Sequence, residues 1–164
     1  MSKWFCTTNL KSDKVMNPAE AGYFAGFLDG EGTIGVYRGR RKENRSGIRF
    51  QTVLRLCNTD FAALEAIQRM CGNGRIAQVT APKNPNYRTG YILTFSSSQI
   101  THLLPQLIPY LVIKKRQAEL ALEFQLSIVS GRNISADREI AANEAYASTR
   151  RMNAKGPRGL VAVN

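Results

Sequence analysis

The segment Phe24-Ala25-Gly26-Phe27-Leu28-Asp29-Gly30-Glu31-Gly32 constrains this chain more than any other. An apolar helical stretch runs straight into an acid-glycine-acid-glycine turn. Directly after it the hydrophobic period changes from helical to alternating. Upstream, Asn17-Pro18-Ala19-Glu20 reads as a helix start. Asn17 suits the N-cap, Pro18 the first turn, and Glu20 the capping-box acid. The sequence therefore predicts a helix from Pro18 to Leu28 or Asp29, ended by Gly30 and Gly32, with two carboxylates at its mouth.

Glycine inside a helix costs about 1 kcal/mol relative to alanine. Gly22 and Gly26, four apart, therefore require a reason. Small residues at this spacing let a second helix backbone approach closely. Gly22, Ala25, Gly26 and Asp29 are taken as the face where two copies of the chain meet; close packing within one subunit is the competing explanation. The acids favour the first, because a single hard carboxylate holds a divalent cation poorly. Two copies of Glu31 brought together at a dimer axis, with the Gly30 segment beside them, would hold Mg²⁺, with Mn²⁺ able to substitute. Ions there would activate water at a phosphodiester.

After the turn, Ile34 and Val36 alternate with Gly35 and Tyr37. Beyond a charged bend at Arg41–Gly47, Phe50, Thr52, Leu54 and Leu56 alternate with Arg49, Gln51, Val53 and Arg55. This predicts a long β-hairpin with one apolar and one basic face. Asn58-Thr59-Asp60 opens a second helix, stopped at Gly72-Asn73-Gly74. Strands at about 75–80 and 90–95 follow. A helix capped at Ser97 or Ser98 comes next, in a run interrupted by Pro105 and Pro109. Helices at about 114–129 and 136–152 close the chain. The order is αββαββα with extra C-terminal helices: an α+β domain over 17–152, an arm at 1–16 and a basic tail at 153–164.

The 164-residue chain has 23 Lys+Arg against 12 Asp+Glu, a net charge of +11. The charge is concentrated. Residues 38–55 hold seven basic side chains and one acid, and residues 147–164 hold four basic side chains and no acid. Clustered charge of this kind implies an anionic macromolecule as partner. Three scattered cysteines and one histidine argue against a disulfide framework or a zinc site. No run reaches the roughly 18 apolar residues of a membrane span, and Met1-Ser2-Lys3-Trp4 opens no secretory signal. The expected setting is intracellular, in an organelle or in a bacterial or phage-infected cell. No small-molecule substrate is indicated.

A two-stranded ribbon fits the DNA major groove, and a ten-residue strand spans roughly 33 Å, about one helical turn. Tyr37, Arg41, Arg49, Gln51, Val53 and Arg55 are placed on the base-reading face. Arg38 and Arg40, of opposite parity, are assigned to phosphates. Arg75, Lys83 and Arg88 lie near the ends of the second hairpin, whose middle is sparse in donors.

Phe24–Gly32 resembles the LAGLIDADG motif, with conservative exchanges at its first, fourth, fifth and eighth positions and Gly30 at the seventh. The basic hairpin, the Gly72-Asn73-Gly74 stop and the run Leu107-Ile108-Pro109-Tyr110-Leu111-Val112-Ile113-Lys114-Lys115-Arg116-Gln117-Ala118 match in order. From about residue 20 to 125 the chain resembles the single-motif, homodimeric LAGLIDADG homing endonucleases. The resemblance implies a saddle-shaped antiparallel sheet and a double-strand break at a long, nearly palindromic DNA site during intron homing. It implies Glu31 as the metal-binding acid, Asp29 as the acid that shapes the helix end, Asn58 in place of a water-ordering glutamine, and Lys114 beside the scissile phosphate. Thr59, Asp60 and Phe61 stand where relatives carry a further basic residue. A DNA-binding repressor or an RNA-binding intron maturase on the same scaffold is the alternative.

Overall fold

The computed structural model describes residues 14–40, 47–79, 88–128 and 136–154, the side chains of 136–138 excepted. Arg41 and Lys83, nearly all of the N-terminal arm and most of the basic tail lie outside the described residues. The elements follow the order α1 (Pro18–Glu31), β1 (Gly32–Arg40), β2 (Ile48–Asn58), α2 (Phe61–Cys71), β3 (Arg75–Gln78), β4 (Tyr91–Thr94), α3 (Ser97–Leu107), a 3₁₀ turn (Ile108–Tyr110), α4 (Lys115–Ser127) and α5 (Ala136–Met152).

The start of α1 is a complete capping box. Asn17 Oδ1 accepts from the Glu20 amide at 2.9 Å, and Glu20 Oε2 accepts from the Asn17 amide at 3.0 Å. Its buried face is Ala21, Phe24, Ala25 and Leu28, the spacing of one helical stripe. The helix passes through Gly30 to Glu31, longer than the sequence predicts, and Gly32 alone ends it. The Gly32 amide donates to the Leu28 carbonyl. A Cβ on Gly32 would lie 2.3 Å from Leu28 Cδ1 and 2.6 Å from the Leu28 oxygen, so only glycine fits this cap.

The four strands form one antiparallel sheet in the order β1-β2-β4-β3. Register sets the faces. Ile34 and Val36 of β1, Phe50, Leu54 and Leu56 of β2, Ile76 of β3 and Leu93 of β4 are buried. The larger core packs Ile34, Leu54, Leu56, Ile76 and Leu93 against α1 to α4. A smaller core joins Val36 and Phe50 to Phe124 of α4 and to Ala142 and Ala145 of α5. The other face carries Tyr37, Arg49, Arg55 and Cys57 as exposed residues, and none of them belongs to either core.

Within the expected Asn58-Thr59-Asp60 start, Asp60 is the residue that caps α2, through the Ala62 and Ala63 amides. Ser96, one residue earlier than expected, caps α3 in a capping box with Gln99. Pro105 does not break α3. The ring stands on the exposed side, and burial of Ile100, Leu103, Leu104 and Leu107 offsets a proline cost of about 3 kcal/mol.

The last helix closes the sheet's edge. β1 is an edge strand, and its outward backbone groups would otherwise lack partners. The Val36 amide donates to Thr149 Oγ1 at 3.3 Å, and Asn153 Nδ2 donates to the Ile34 carbonyl at 3.0 Å. Two polar side chains of one helical segment thus stand in for a missing strand. The approach requires Gly35, whose φ is +153°, because a Cβ there would fall 1.8 Å from Thr149 Cγ2.

Candidate functional site

The mouth of α1 is held by a reciprocal clamp. The Asp29 carboxylate accepts from three consecutive backbone amides, those of Val112 and Lys114 at 2.8 Å and of Ile113 at 3.1 Å. In return, Lys114 Nζ donates to the Leu28 carbonyl at 3.0 Å and to the Asp29 carbonyl. Burial pushes the Asp29 carboxyl up. The three amides and the Lys114 charge outweigh burial and hold it below the ordinary aspartate range. The Lys114 ammonium meets the negative end of the helix dipole, where a cation is favoured. Asp29 therefore joins α1 to the start of α4, and the Lys114 ammonium is fixed on carbonyls two to three residues before Glu31.

Glu31 differs from Asp29 in every respect. It is the last helical residue, it is exposed, and no described residue pairs with its carboxylate. Its oxygens are hard, anionic and open, which fits Mg²⁺ when water and a phosphate oxygen complete the shell. Gly30 beside it is exposed, with nothing within 4 Å of the position a Cβ would take. Among the described residues no group of three or more His, Cys, Asp or Glu gathers to hold a metal. At the α1 mouth one chain thus offers one unpaired carboxylate among the described residues, half of what a strong site needs.

Asn58 lies two residues beyond Leu56, the strand partner of Gly32. It has the parity of the core-facing residues of β2 and is half-buried. Its Oδ1 accepts from the Asp60 amide at 2.8 Å, which forms the turn into α2. Its amide nitrogen and the second lone pair of Oδ1 are left to order a water.

The outward face of the sheet begins beside Glu31. Gly32 pairs with Leu56 and Thr33 with Arg55. Arg55 pairs onward with Thr94, and Thr94 with Arg75. One row across the four strands is therefore Thr33, Arg55, Thr94, Arg75. Further out along the hairpin, Tyr37 pairs with Gln51, Gly35 with Val53 and Gly39 with Arg49. Arg38 and Arg40 are exposed but have the parity of Val36, so they project toward the helical side at the far end of β1. Arg88 is exposed ahead of β4. Thr33, Thr94 and Cys57 also lie on this face. The alternation that located Arg55 would have found them, had it been extended across the strand pairs.

The open face of α1 is small. Gly26 and Gly30 are exposed, Gly22 is half-buried against Tyr110, and Tyr23 is exposed. Val112 and Ile113, 84% and 71% exposed, stand on the loop that Asp29 holds. Ala25 does not belong to this face. It is wholly buried in the chain's own core, because a residue three positions from Gly22 and one from Gly26 turns inward with Phe24 and Leu28. Asp29 is likewise turned to the Val112–Lys114 amides.

The model of one protein family, described as LAGLIDADG endonuclease, matches residues 24–127. The chain belongs to the LAGLIDADG endonuclease family. No curated protein matches it in sequence. Solved structures share the LAGLIDADG fold. An archaeal intron-encoded homing endonuclease, I-Vdi141I, complexed with DNA, has a TM-score of 0.72 at 22% identity, covering 84% of this chain and 86% of that one. The homing endonuclease I-CvuI, on a DNA target with Mg present and the DNA not cleaved, has a TM-score of 0.69 at 18% identity, covering 85% of each chain. The homing endonuclease I-TnaI has a TM-score of 0.66 at 18% identity, covering 83% and 89%. In this frame the Asp29–Lys114 clamp lies at the end of the motif helix, and the cationic row begins two residues beyond Glu31.

Proposed function

We propose that this chain acts as a homodimer that cuts both strands of a long, nearly palindromic DNA site by divalent-metal-dependent hydrolysis, in the service of intron homing. The observation that carries this reading is the placement of Glu31. An exposed, unpaired carboxylate ends the motif helix and adjoins the outward row that contains Arg55 and Arg75. The structures of I-Vdi141I and I-CvuI with DNA support duplex DNA as the partner.

The chemistry is hydrolysis. Water adds to phosphorus, the P–O3′ bond breaks, one water proton passes to solvent, and O3′ leaves with a proton as a hydroxyl. The 5′ product keeps the phosphate. Glu31 from each chain would hold the cation, with the Gly30 segment alongside; Mg²⁺, or Mn²⁺ in its place, supplies Lewis acidity and activates water. Asp29 keeps the α1 mouth and the Lys114 segment in fixed relation, so no reorganisation is needed as charge develops. The Lys114 ammonium, seated at the helix C-terminus, adds positive potential behind the acid. Asn58 offers its amide nitrogen to a water. The outward residues Tyr37, Arg49, Gln51, Val53 and Arg55 face base edges, and Arg38 and Arg40 suit flanking phosphates.

The dimer follows from α1. Gly26 and Gly30 leave a backbone-deep face, and Tyr23, Val112 and Ile113 surround it with exposed apolar surface. Pairing two such faces would bring two Glu31 carboxylates to one axis.

A plasmid carrying the sequence obtained by joining the flanks of the gene's own insertion site tests the reading. With Mg²⁺, wild type should linearise it, and Glu31→Gln should bind it without cutting. Wild-type protein that binds tightly and leaves the DNA intact would exclude the nuclease and favour a repressor. Preference for RNA over DNA at matched salt would favour the maturase. Glu31→Gln with full activity would remove Glu31 from the chemistry.

A further inference from the structure

The outward face of the sheet is chemically divided. On the first hairpin it offers Tyr37, Gln51, Arg49 and Arg55, groups that donate to or accept from base edges. On β3 and β4 the register brings together a different set. Ala77 pairs with Ile92, and Ile92 with Cys57 of β2. Val79, 43% exposed, follows Ala77 by two residues and shares its face. The Val79 amide is bonded to the Gly90 carbonyl, which extends the strand pair to that point. Ala77, Ile92 and Cys57 lie outside both cores, whereas their neighbours Ile76, Leu93 and Leu56 lie inside. Across three strands this makes an apolar strip on a surface otherwise rich in cations.

The strip is about 10 Å wide, two strand spacings, which suits the roughly 12 Å major groove. Its surroundings choose the occupant. The row Arg55, Thr94, Arg75 runs along one side, two residues away on each strand, and Arg88 stands ahead of β4. A second copy of this +11 chain would set like charges against those arginines. A polyanion would be drawn to them.

Aliphatic side chains and a thiol cannot satisfy the donors and acceptors of most base edges, which would lose water without gaining a partner. The C5-methyl of thymine is the exception, because apolar contact removes it from water. We infer that the strip Ala77–Ile92–Cys57, continued by Val79, is a thymine-methyl subsite of the DNA-reading face. Each half-site then has two chemistries: hydrogen-bond reading by the first hairpin and methyl reading by β3 and β4. This inference rests on the DNA-binding reading above and does not depend on cleavage.

Wild-type protein is used to select bound duplexes from a randomised, unmodified DNA pool, and the selected duplex becomes the probe. Thymine should dominate one segment of each half-site. Replacing those thymines singly by deoxyuridine removes only the methyl, and each replacement should weaken binding about fourfold. The penalty should largely vanish in Ile92→Ala. Val79→Ala supplies a second variant on the same strip, should Ile92→Ala fail to fold. Thymine-to-uracil swaps that leave wild-type affinity unchanged would overturn the subsite, as would a penalty that persists in full in both variants. A protein that retains no duplex from the pool would instead remove the DNA reading, and this subsite with it.

Discussion

At the scale of single residues, the two motif acids have separated into different roles for reasons visible in their partners. Asp29 spends its carboxylate on three backbone amides from the Val112–Lys114 segment, whereas Glu31 spends its carboxylate on no described residue. Sequence reading placed both acids at a helix mouth and chose Glu31 for the metal. It had no access to the amides that hold Asp29, because backbone donors some 83 positions away leave no mark in side-chain identity. Asn58 has the same limitation. Its role as a turn acceptor depends on strand parity and on the Asp60 amide, not on being shorter than glutamine. Asp29→Asn tests the clamp. It removes the charge and turns one accepting oxygen into a donor that faces other donors. Charge-assisted hydrogen bonds contribute roughly 1.5–3 kcal/mol each and do not add, so a loss of about 2–3 kcal/mol is expected. Urea denaturation should record it, and a midpoint equal to wild type would refute the clamp's structural weight. Glu31→Gln, exposed and unpaired, should leave the same curve within about 0.5 kcal/mol.

At the scale of elements, those with strong local signals were legible. The capping box of α1 and the alternation of β1 and β2 arise from neighbours in the chain, so sequence displays them. α5 was legible as a helix over 136–152 but not as the closure of the sheet's edge. Its attachment depends on two polar residues, Thr149 and Asn153, whose spacing carries no hydrophobic period, and on a glycine more than a hundred residues earlier. Gly35→Ala should set its new methyl against Thr149 and cost about 1–3 kcal/mol, the range of overpacked sites. Thr149→Ser removes the Cγ2 that makes the closest contact, 1.8 Å, and keeps the hydroxyl that receives the Val36 amide. The double variant should therefore recover part of the loss, a coupling of about 1 kcal/mol or more in a double-mutant cycle. Strict additivity would mean that Gly35 and Thr149 do not meet.

At the scale of the whole molecule, some of the described glycines are required by contacts inside the chain and others are not. Gly32 is required by Leu28 and Gly35 by Thr149, contacts inside one chain. Gly26 and Gly30 meet nothing within 4 Å, are exposed, and stand in a helix that alanine would stabilise. A cost with no internal benefit points to a contact outside the chain, and a second α1 is the contact that also doubles Glu31. The variant Gly26→Gln separates the two demands. A helix-favouring polar side chain there should raise or preserve the stability of the isolated chain, by up to about 1 kcal/mol. It should also hold two α1 backbones apart. Sedimentation of wild type is expected to show a dimer, and Gly26→Gln a folded monomer whose affinity for a full palindromic site is reduced at least tenfold. A half-site duplex should be bound much as before, since each sheet reads its own half. A Gly26→Gln protein that remains dimeric would move the axis off α1, and the origin of that glycine would then have to be sought elsewhere on the surface.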